Sequence, residues 1–323
     1  MPDLPDLPDL RTHLGAAPLV RDVVVVRGPE AVPFLQGQLS QDVAGLALSE
    51  PVRAFLLEPT GKVDAWLRVT LRAEDDVLLD VDVGHGPAVL ARLQRFRLRT
   101  KVDLEVETWS GLALRGPGAR DVEPPAGLMA LDAAWPGVPS VDLLGSGELA
   151  LAGVPPVPAE ALEALRIECG VPAMGAELTK ATIPAEAGSW LVEASVSFTK
   201  GCYTGQELVA RIDSRGGQVP RPLRGLRLAE DGVPAGAELH LAEAGEADRS
   251  AAGEDGENHA GAGEDPSRPG AHAVGTVTSV GRSPALGPVA LAVVARSVPV
   301  GATVDVCWHA GAVPATVTDL PMR

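Results

Sequence analysis

The residue types best suited to chemistry are concentrated in the segment FTKGCYTGQELVARID, residues 198–213. Cys202 stands between Gly201 and Gly205, two residues after Lys200, and the apolar spacing that follows predicts a helix. A helix N-terminus presents unsatisfied N–H groups with partial positive charge, and a nearby ammonium adds to that field. These surroundings favour a thiolate. We therefore predict that Cys202 is a reactive or ligand-binding cysteine.

The same segment also allows a purely structural interpretation. Thr204 and Glu207 have the spacing of a capping box, in which the two side chains bond the first N–H groups of a helix. In that case Glu207 is a cap and Cys202 is a small packing residue in a tight turn beside Tyr203, the only tyrosine of the chain. No His, Asp or second Cys has the spacing of a protease-type triad, so nucleophilic hydrolysis is poorly supported.

Glu168 is the second candidate, because local physics does not favour a carboxylate at its position. It belongs to the predicted helix AEALEALRIECG, residues 159–170, which Gly170 is expected to end. A negative charge in the last turn opposes the helix dipole and costs a few tenths to about 1 kcal/mol. Either the carboxylate is solvated, or it accepts hydrogen bonds from a ligand with paired N–H donors.

The elements that must position these residues alternate irregularly along the chain. A β-branched run that ends at Gly28 predicts a strand, and a helix is expected within residues 29–43. Three apolar runs then predict antiparallel strands, followed by a helix over residues 86–99. This order favours an α+β fold over a doubly wound parallel sheet. After residue 222, short and evenly spaced strand patterns predict a small β-barrel or sandwich.

Two segments lack the composition of a packed core. The repeated Pro-Asp-Leu at residues 2–10 predicts a frayed lead-in. Residues 242–270 contain no Val, Ile, Leu, Met or aromatic residue, and their eight acids and two arginines give a charge of −6. Burial cannot offset the ordering entropy of such a stretch, so it predicts a disordered insertion between barrel strands, with an acidic docking site as the alternative.

The string KGCYTGQE resembles the YgfZ-type folate-binding proteins, together with RIECGVPAMGAELTKATIPAEAG before it and VGTVTSVGRSPALGPVALAVV after it. That family is related to the T-protein, the aminomethyltransferase of the glycine cleavage system, and includes mitochondrial iron-sulfur assembly factors. FLQGQLSQDV and the strand after Gly61 and Lys62 resemble the N-terminal part of the same superfamily. The resemblance spans residues 19–296, apart from the acidic insertion.

The resemblance implies a fold. It is an α+β architecture of three domains arranged as a ring around a central folate-binding channel, the last domain being a small β-barrel. On this chain we expect the domains at residues 12–108, 109–220 and 221–323, with the insertion 242–270 inside the third.

The resemblance also implies site residues. A glutamate in an R-x-E-A-G string hydrogen-bonds the pterin in the T-protein branch, and the matching string here nominates Glu168. The cysteine of the K-G-C-Y-x-G-Q-E string is the hallmark of the YgfZ branch and corresponds to Cys202. The expected chemistry therefore lies with Cys202 and Lys200. The expected ligands of tetrahydrofolate, or of a one-carbon derivative, are Glu168, Tyr203, Gln206 and Glu207.

One departure from the T-protein pattern bears on activity. The aminomethyltransferases carry an acidic pair in a G-G-I-x-D-D-L string, whereas this chain has Ala65 and Trp66 at the aligned positions. Asp64 is one position off, and one step along a strand reverses the face on which a side chain lies. We therefore expect the carboxylate needed for aminomethyl transfer to be missing.

Composition excludes several classes of protein. The 27 Lys+Arg and 43 Asp+Glu give a net charge of −16, which repels nucleic acid and anionic lipid alike. The three cysteines lack the spacing of a zinc site or a disulfide framework. The first residues do not resemble a secretory signal, and no apolar run is long enough to cross a membrane. We expect a cytoplasmic monomer without a resident metal, bound neither to nucleic acid nor to membranes.

Residues and resemblance together predict a tetrahydrofolate-binding accessory protein for iron-sulfur cluster assembly or repair in client enzymes, including tRNA-modifying ones. Its expected partners are folate and those client enzymes or cluster carrier proteins. The rival hypothesis is a folate-dependent aminomethyltransferase or one-carbon transferase. A third hypothesis is a folate-binding module without cysteine chemistry.

Overall fold

The computed structural model describes residues 7–145, 149, 151–242 and 273–323. A seven-stranded antiparallel sheet occupies the first part of the chain, with strand order β2-β3-β4-β1-β5-β7-β6. The strands are β1 Gly15–Arg27, β2 Pro51–Leu57, β3 Val63–Ala73, β4 Asp76–Asp82, β5 Asp103–Arg115, β6 Leu128–Asp132 and β7 Ser140–Gly145. Two helices pack on this sheet, α1 Ala31–Gln38 and α2 Gly86–Arg97.

Three further helices connect the sheet to a closed barrel. They are α3 Ala159–Cys169, α4 Ser189–Ser195 and α5 Gln206–Asp213. The barrel strands are β8 Leu223–Leu228, β9 Glu238–Leu241, β10 Gly275–Ser283, β11 Gly287–Val294, β12 Thr303–Trp308 and β13 Gly311–Thr318. They close in the order β10-β11-β8-β13-β12-β9, because β9 pairs with β10. The predicted α+β class and C-terminal barrel are confirmed.

Alternate residues of β2 and β3 face two separate cores. On one side Leu56 and Ala65 pack with residues of α1 and α2, and this set is called the helix-side core. On the other side Phe55 and Trp66 pack with α3, α4 and Tyr203, and this set is called the central core. The period of two along a strand sends consecutive side chains to opposite cores.

Buried charges lie on the central side of the sheet. Arg68 follows Trp66 by two residues on β3 and is 1% exposed. Its guanidinium donates to both oxygens of Asp80, at 3.0 and 2.8 Å, and to Asp142 at 2.9 Å. Arg115 donates to the other oxygen of Asp142 at 2.9 Å. Burial alone would raise the pKa of Asp142, but Arg115 and Arg68 outweigh it and hold that pKa far below its usual range.

The lead-in prediction is wrong for the residues that the structure describes, which begin at residue 7. Leu10 is 2% exposed within the central core, and Leu7 packs against the same core. Their spacing of three places both leucines on one side of the segment, so the chain here does have apolar surface to bury.

The other segment predictions have separate outcomes. Helix α3 ends as predicted, with Gly170 in the left-handed region at φ 68°. The predicted disordered insertion, residues 242–270, lies outside the described residues except for Ala242. The three-domain division stays a prediction, and its first boundary, between residues 108 and 109, falls inside β5. Among the described residues, no helix has the length and apolar character needed to cross a membrane.

Candidate functional site

The loop between α4 and α5 presents Cys202 to solvent. Cys202 is a free, exposed cysteine, whereas Tyr203 beside it is only 9% exposed and belongs to the central core. The chain therefore passes from the protein surface to the central core between Cys202 and Tyr203. Contacts of the residues on either side of Cys202 fix the conformation of this loop.

Lys200 anchors the loop to α1. Its Nζ donates to the backbone carbonyls of Gln36, Leu39 and Gln41, each at 2.8 Å. These carbonyls lie at the C-terminal end of α1, where the helix dipole attracts a cation. Burial lowers the pKa of Lys200 to about 8. Because an ammonium has three donors and all three are used, Lys200 serves the backbone of α1 in this structure.

The backbone between Tyr203 and Gln206 is held from both sides. The Tyr203 N–H donates to Oε1 of Gln206 at 3.1 Å, and Thr204 N–H donates to the carbonyl of Gly37 at 3.3 Å. Burial raises the pKa of Tyr203 to about 12, so its phenol stays neutral. Gln206 and Tyr203 thus hold the chain directly after Cys202, as Lys200 holds it directly before.

The predicted capping box does not form. Helix α5 begins at Gln206 with Gly205 as its N-cap, and no side chain caps it. Gly205 has φ 83° and lies so close to the carbonyl of Glu58 that an added Cβ would be 2.5 Å from that oxygen. Because the backbone of Gly205 is left-handed and not helical, α5 starts one residue later than the Thr204 to Glu207 spacing requires. Glu207 is exposed on α5.

Replacing Gly205 with alanine should loosen the loop. The left-handed φ and the contact with Glu58 both oppose a side chain, so we expect the free energy of unfolding to fall by about 2 kcal/mol or more in urea titrations. Gly201, on the other side of Cys202, is the matched control, because an added Cβ there meets nothing within 4 Å. Equal stability of the two alanine variants would contradict this account of the loop.

Thiol exposure gives a second test of the site. Cys169 is fully buried, and burial raises its pKa to about 11, whereas Cys202 is exposed and Cys307 is partly exposed. Iodoacetamide at pH 8, followed by peptide mass spectrometry, should modify Cys202 first and leave Cys169 unmodified until the protein is unfolded. Modification of Cys169 as fast as Cys202 would contradict the burial of the one thiol and the exposure of the other.

Glu168 is buried and paired. It is the penultimate residue of α3 and 3% exposed, and Arg11 Nε donates to its Oε2 at 2.7 Å. The Arg11 guanidinium also lies 3.9 Å from the Cys169 sulfur. The suggestion that Glu168 is simply solvated is therefore wrong. Arg11 compensates the charge at the helix end, and no local pattern predicts this pairing because 157 positions separate the two residues.

The predicted site residues fall into two groups. Lys200, Cys202 and Tyr203 share one loop, which Gln206 and Glu207 follow at the start of α5. Glu168 lies at the end of α3 beside Arg11. Cys169 and Tyr203 both belong to the central core, which lies between the groups. Neither Glu168 nor Cys202 lines the cavity between α4 and α5 or any of three further cavities formed by described residues. A channel mouth shared by Glu168 and Cys202 stays a prediction.

The fit to a folate rests on Glu168 and Arg11. Within the described part of the chain, the bond from Arg11 Nε to Oε2 is the one side-chain hydrogen bond of the Glu168 carboxylate, which is 3% exposed. A pterin edge carries N–H donors beside a carbonyl acceptor, which suits a carboxylate and a guanidinium side by side. Tyr203 and Gln206 are occupied in holding the loop. The pair Arg11 and Glu168 therefore fits a pterin, and Tyr203 and Gln206 fit an anchoring role better.

No resident metal site is visible in the described ranges. They contain no group of three or more His, Cys, Asp or Glu side chains placed to hold a metal ion. An exposed thiol such as that of Cys202 is nevertheless a residue type that iron accepts as a single ligand.

The positions aligned with the acidic pair of the aminomethyltransferases carry no carboxylate toward the central core. Asp64 is the extra residue of a β-bulge, where Leu56 pairs with Ala65. Its carboxylate accepts from Arg92 Nε of α2 at 3.1 Å, on the helix side of the sheet. Trp66 packs in the central core instead, and its Nε1 donates to Ser195 at 2.9 Å.

Known proteins resemble the chain in both sequence and fold. The glycine cleavage T-protein C-terminal barrel domain matches residues 251–322. The chain is 28% identical over 220 residues to a mitochondrial iron-sulfur cluster assembly factor IBA57 homolog of Phaeosphaeria nodorum, covering 62% of this chain and 53% of that protein. It is 28% identical over 222 residues to the tRNA-modifying protein YgfZ of Edwardsiella ictaluri, covering 59% of this chain and 64% of that protein.

The fold resembles that of an aminomethyltransferase. The glycine cleavage system aminomethyltransferase T of Bartonella henselae has a TM-score of 0.70 and 20% identity, covering 97% of this chain and 87% of that one. The chain spans between about half and two thirds of the length of the two sequence relatives, 53% and 64%. Through its barrel domain and these relatives, the chain is similar to the YgfZ-type members of the glycine cleavage T-protein, or aminomethyltransferase, superfamily.

Proposed function

We propose that this protein is an accessory factor for assembly or repair of iron-sulfur clusters in client enzymes, including tRNA-modifying ones, and that it binds tetrahydrofolate. The observation that carries the proposal is the exposed Cys202 thiol on a loop anchored through Lys200 and Tyr203. Relatives named as an iron-sulfur cluster assembly factor and as a tRNA-modifying protein support it. Its partners are client enzymes or cluster carriers, and the protein acts as a cytoplasmic monomer.

Cys202 has the chemistry of a transient iron ligand. A thiolate is a soft ligand that iron-sulfur centres prefer, and the thiol loses its proton when the iron-sulfur bond forms. The described residues supply no further ligand set, so the cluster is cargo that Cys202 holds together with a partner's ligands. Anchoring on both sides fixes where the sulfur is presented and leaves the cysteine side chain free.

Arg11 and Glu168 would hold the pterin. The carboxylate accepts from the ring N–H groups and the guanidinium donates to the ring carbonyl. A bound folate carries one-carbon units, and the residues of this chain serve to bind and orient it. Because the Arg11 side chain is 28% exposed, it can share Glu168 with a ligand.

A glutamine at position 168 should weaken folate binding. Glu168→Gln removes the charge that accepts N–H donors, so titration with tetrahydrofolate should show an affinity loss of about 2 kcal/mol or more, roughly 30-fold. Glu160→Gln, an exposed carboxylate on the same helix, is the control and should leave the affinity unchanged. Both variants must show the wild-type circular dichroism spectrum. Equal affinities of Glu168→Gln and wild type would contradict the pterin site.

The rival function is aminomethyl transfer, which the fold alone would permit. Ala65 and Trp66 offer no carboxylate, and Asp64 is paired with Arg92 on the helix side of the sheet. Purified protein given an aminomethyl donor and tetrahydrofolate should therefore form no methylene-tetrahydrofolate above background. Sustained turnover in this assay would replace the accessory role with an enzymatic one.

A further inference from the structure

We propose that the groove between α4 and α5 docks an amphipathic helix of a partner protein, whose apolar side chains are flanked by lysine or arginine. The groove encloses about 610 Å³ of open space, counted with its mouth. Its apolar walls come from Val192, Phe198, Leu208 and Ile212. Grooves between packed helices receive helices, because rows of side chains on one helix fit between those on the others.

The apolar face of α5 is only partly covered by this chain. The spacing of 3.6 residues per turn puts Leu208, Val209 and Ile212 on one side of the helix, yet only Val209 is buried. Phe198 borders the same groove with 51% of its surface exposed. A large aromatic and two aliphatic side chains thus share one open surface, the kind of patch that marks a contact site.

Carboxylates border the apolar walls. Glu193 and Asp213 both line the groove and are exposed. Within the ranges described above, neither has an ion pair or a side-chain hydrogen bond, so both charges are open to a partner. Two unpaired carboxylates beside an apolar groove complement a helix that carries cations beside its apolar face.

Charge also indicates which kind of molecule the groove between α4 and α5 binds. The net charge of −16 and the acidic groove repel nucleic acid and anionic membranes. The chain's own residues 243–272 carry eight acidic residues and no large apolar side chain, so their composition does not match the groove. A basic amphipathic helix of another protein matches both the apolar walls and the carboxylates.

The groove borders the loop that carries Cys202. Phe198 lies four residues before Cys202, and α5 begins four residues after it. A helix seated here would bring its protein next to the exposed thiol. The identity of that protein as an iron-sulfur protein rests on the proposed function, but the docking surface itself does not.

Two synthetic peptides of about five helical turns test the proposal. Both carry leucines along one face, and they differ only in flanking lysines or flanking glutamates. In fluorescence anisotropy, the lysine peptide should bind wild-type protein, and Phe198→Ser should weaken it by about tenfold or more. The double variant Glu193→Lys, Asp213→Lys should prefer the glutamate peptide. Leu98→Ser removes an 87% exposed leucine elsewhere and should change nothing.

The outcomes separate docking from the proposed function. Cys202→Ser should bind the lysine peptide like wild type whatever happens to iron-sulfur activity. The proposal is overturned if neither peptide binds, if Phe198→Ser and Leu98→Ser behave alike, or if the double variant keeps its preference for lysine. It is overturned in favour of a second copy of this chain if sedimentation shows a dimer that Phe198→Ser dissociates.

Discussion

Replacing Asp142 with asparagine is expected to cost about 3–5 kcal/mol of the free energy of unfolding, the scale for breaking a buried ion pair on one side. The carboxylate bonds Arg68 through one oxygen and Arg115 through the other, and both guanidinium groups are buried. Asparagine keeps the shape of the side chain but removes its negative charge. The buried guanidinium groups of Arg68 and Arg115 then lose the carboxylate that they share. Urea titration at pH 7 measures the loss.

Asp319→Asn is the matched control. Asp319 also pairs with an arginine, Arg224 at 3.3 Å, but its side chain is 74% exposed. Exposed pairs contribute about 0–1 kcal/mol, so this variant should be close to wild type. If both variants lose a similar free energy of unfolding, the buried network contributes no more to stability than an exposed ion pair does.

The same network predicts how stability depends on pH. The pKa of Asp142 in the folded protein lies below its value in the unfolded chain, because Arg115 and Arg68 outweigh burial. Its contribution is therefore fully present above the unfolded pKa, about 3.9, and is lost as the pH falls through the folded pKa. Wild type should lose more stability than Asp142→Asn between pH 5 and the acid limit of folding, on the order of several kcal/mol.

Local signals in the sequence predict the elements well. The end of α3 at Gly170 and the start of α2 at Gly86 follow from composition and spacing, because helices begin and end through interactions within a few residues. The evenly spaced strands after residue 222 likewise close into the predicted barrel. Each of these features depends on neighbours along the chain.

Contacts between distant segments could not be predicted in the same way. Arg11 meets Glu168 across 157 positions, and Lys200 meets Gln36 across 164. The capping-box pattern failed because Gly205, packed against the carbonyl of Glu58, has a left-handed backbone and delays the start of α5 by one residue. Spacing nominated the residues around Cys202, and the tertiary contacts of Lys200 and Gln206 give these two an anchoring role.

The second large effect concerns Cys202 itself. Serine keeps the size of the side chain but is a poor ligand for iron and does not form a thiolate. Because Cys202 is exposed and its neighbours carry the anchoring contacts, Cys202→Ser should fold like wild type. The activity of an iron-sulfur tRNA-modifying enzyme in a deletion strain should nevertheless fall to that of the empty strain. Cys307→Ser, at a partly exposed cysteine of the barrel, should rescue like wild type.

The most direct measurement is the tRNA-modification level in the deletion strain that expresses wild type, Cys202→Ser or Cys307→Ser at equal protein abundance. If the exposed Cys202 thiol is a cluster ligand, wild type and Cys307→Ser should restore tRNA modification fully, and Cys202→Ser should not restore it. Full rescue by Cys202→Ser would contradict the central claim and leave a folate-binding module without cysteine chemistry.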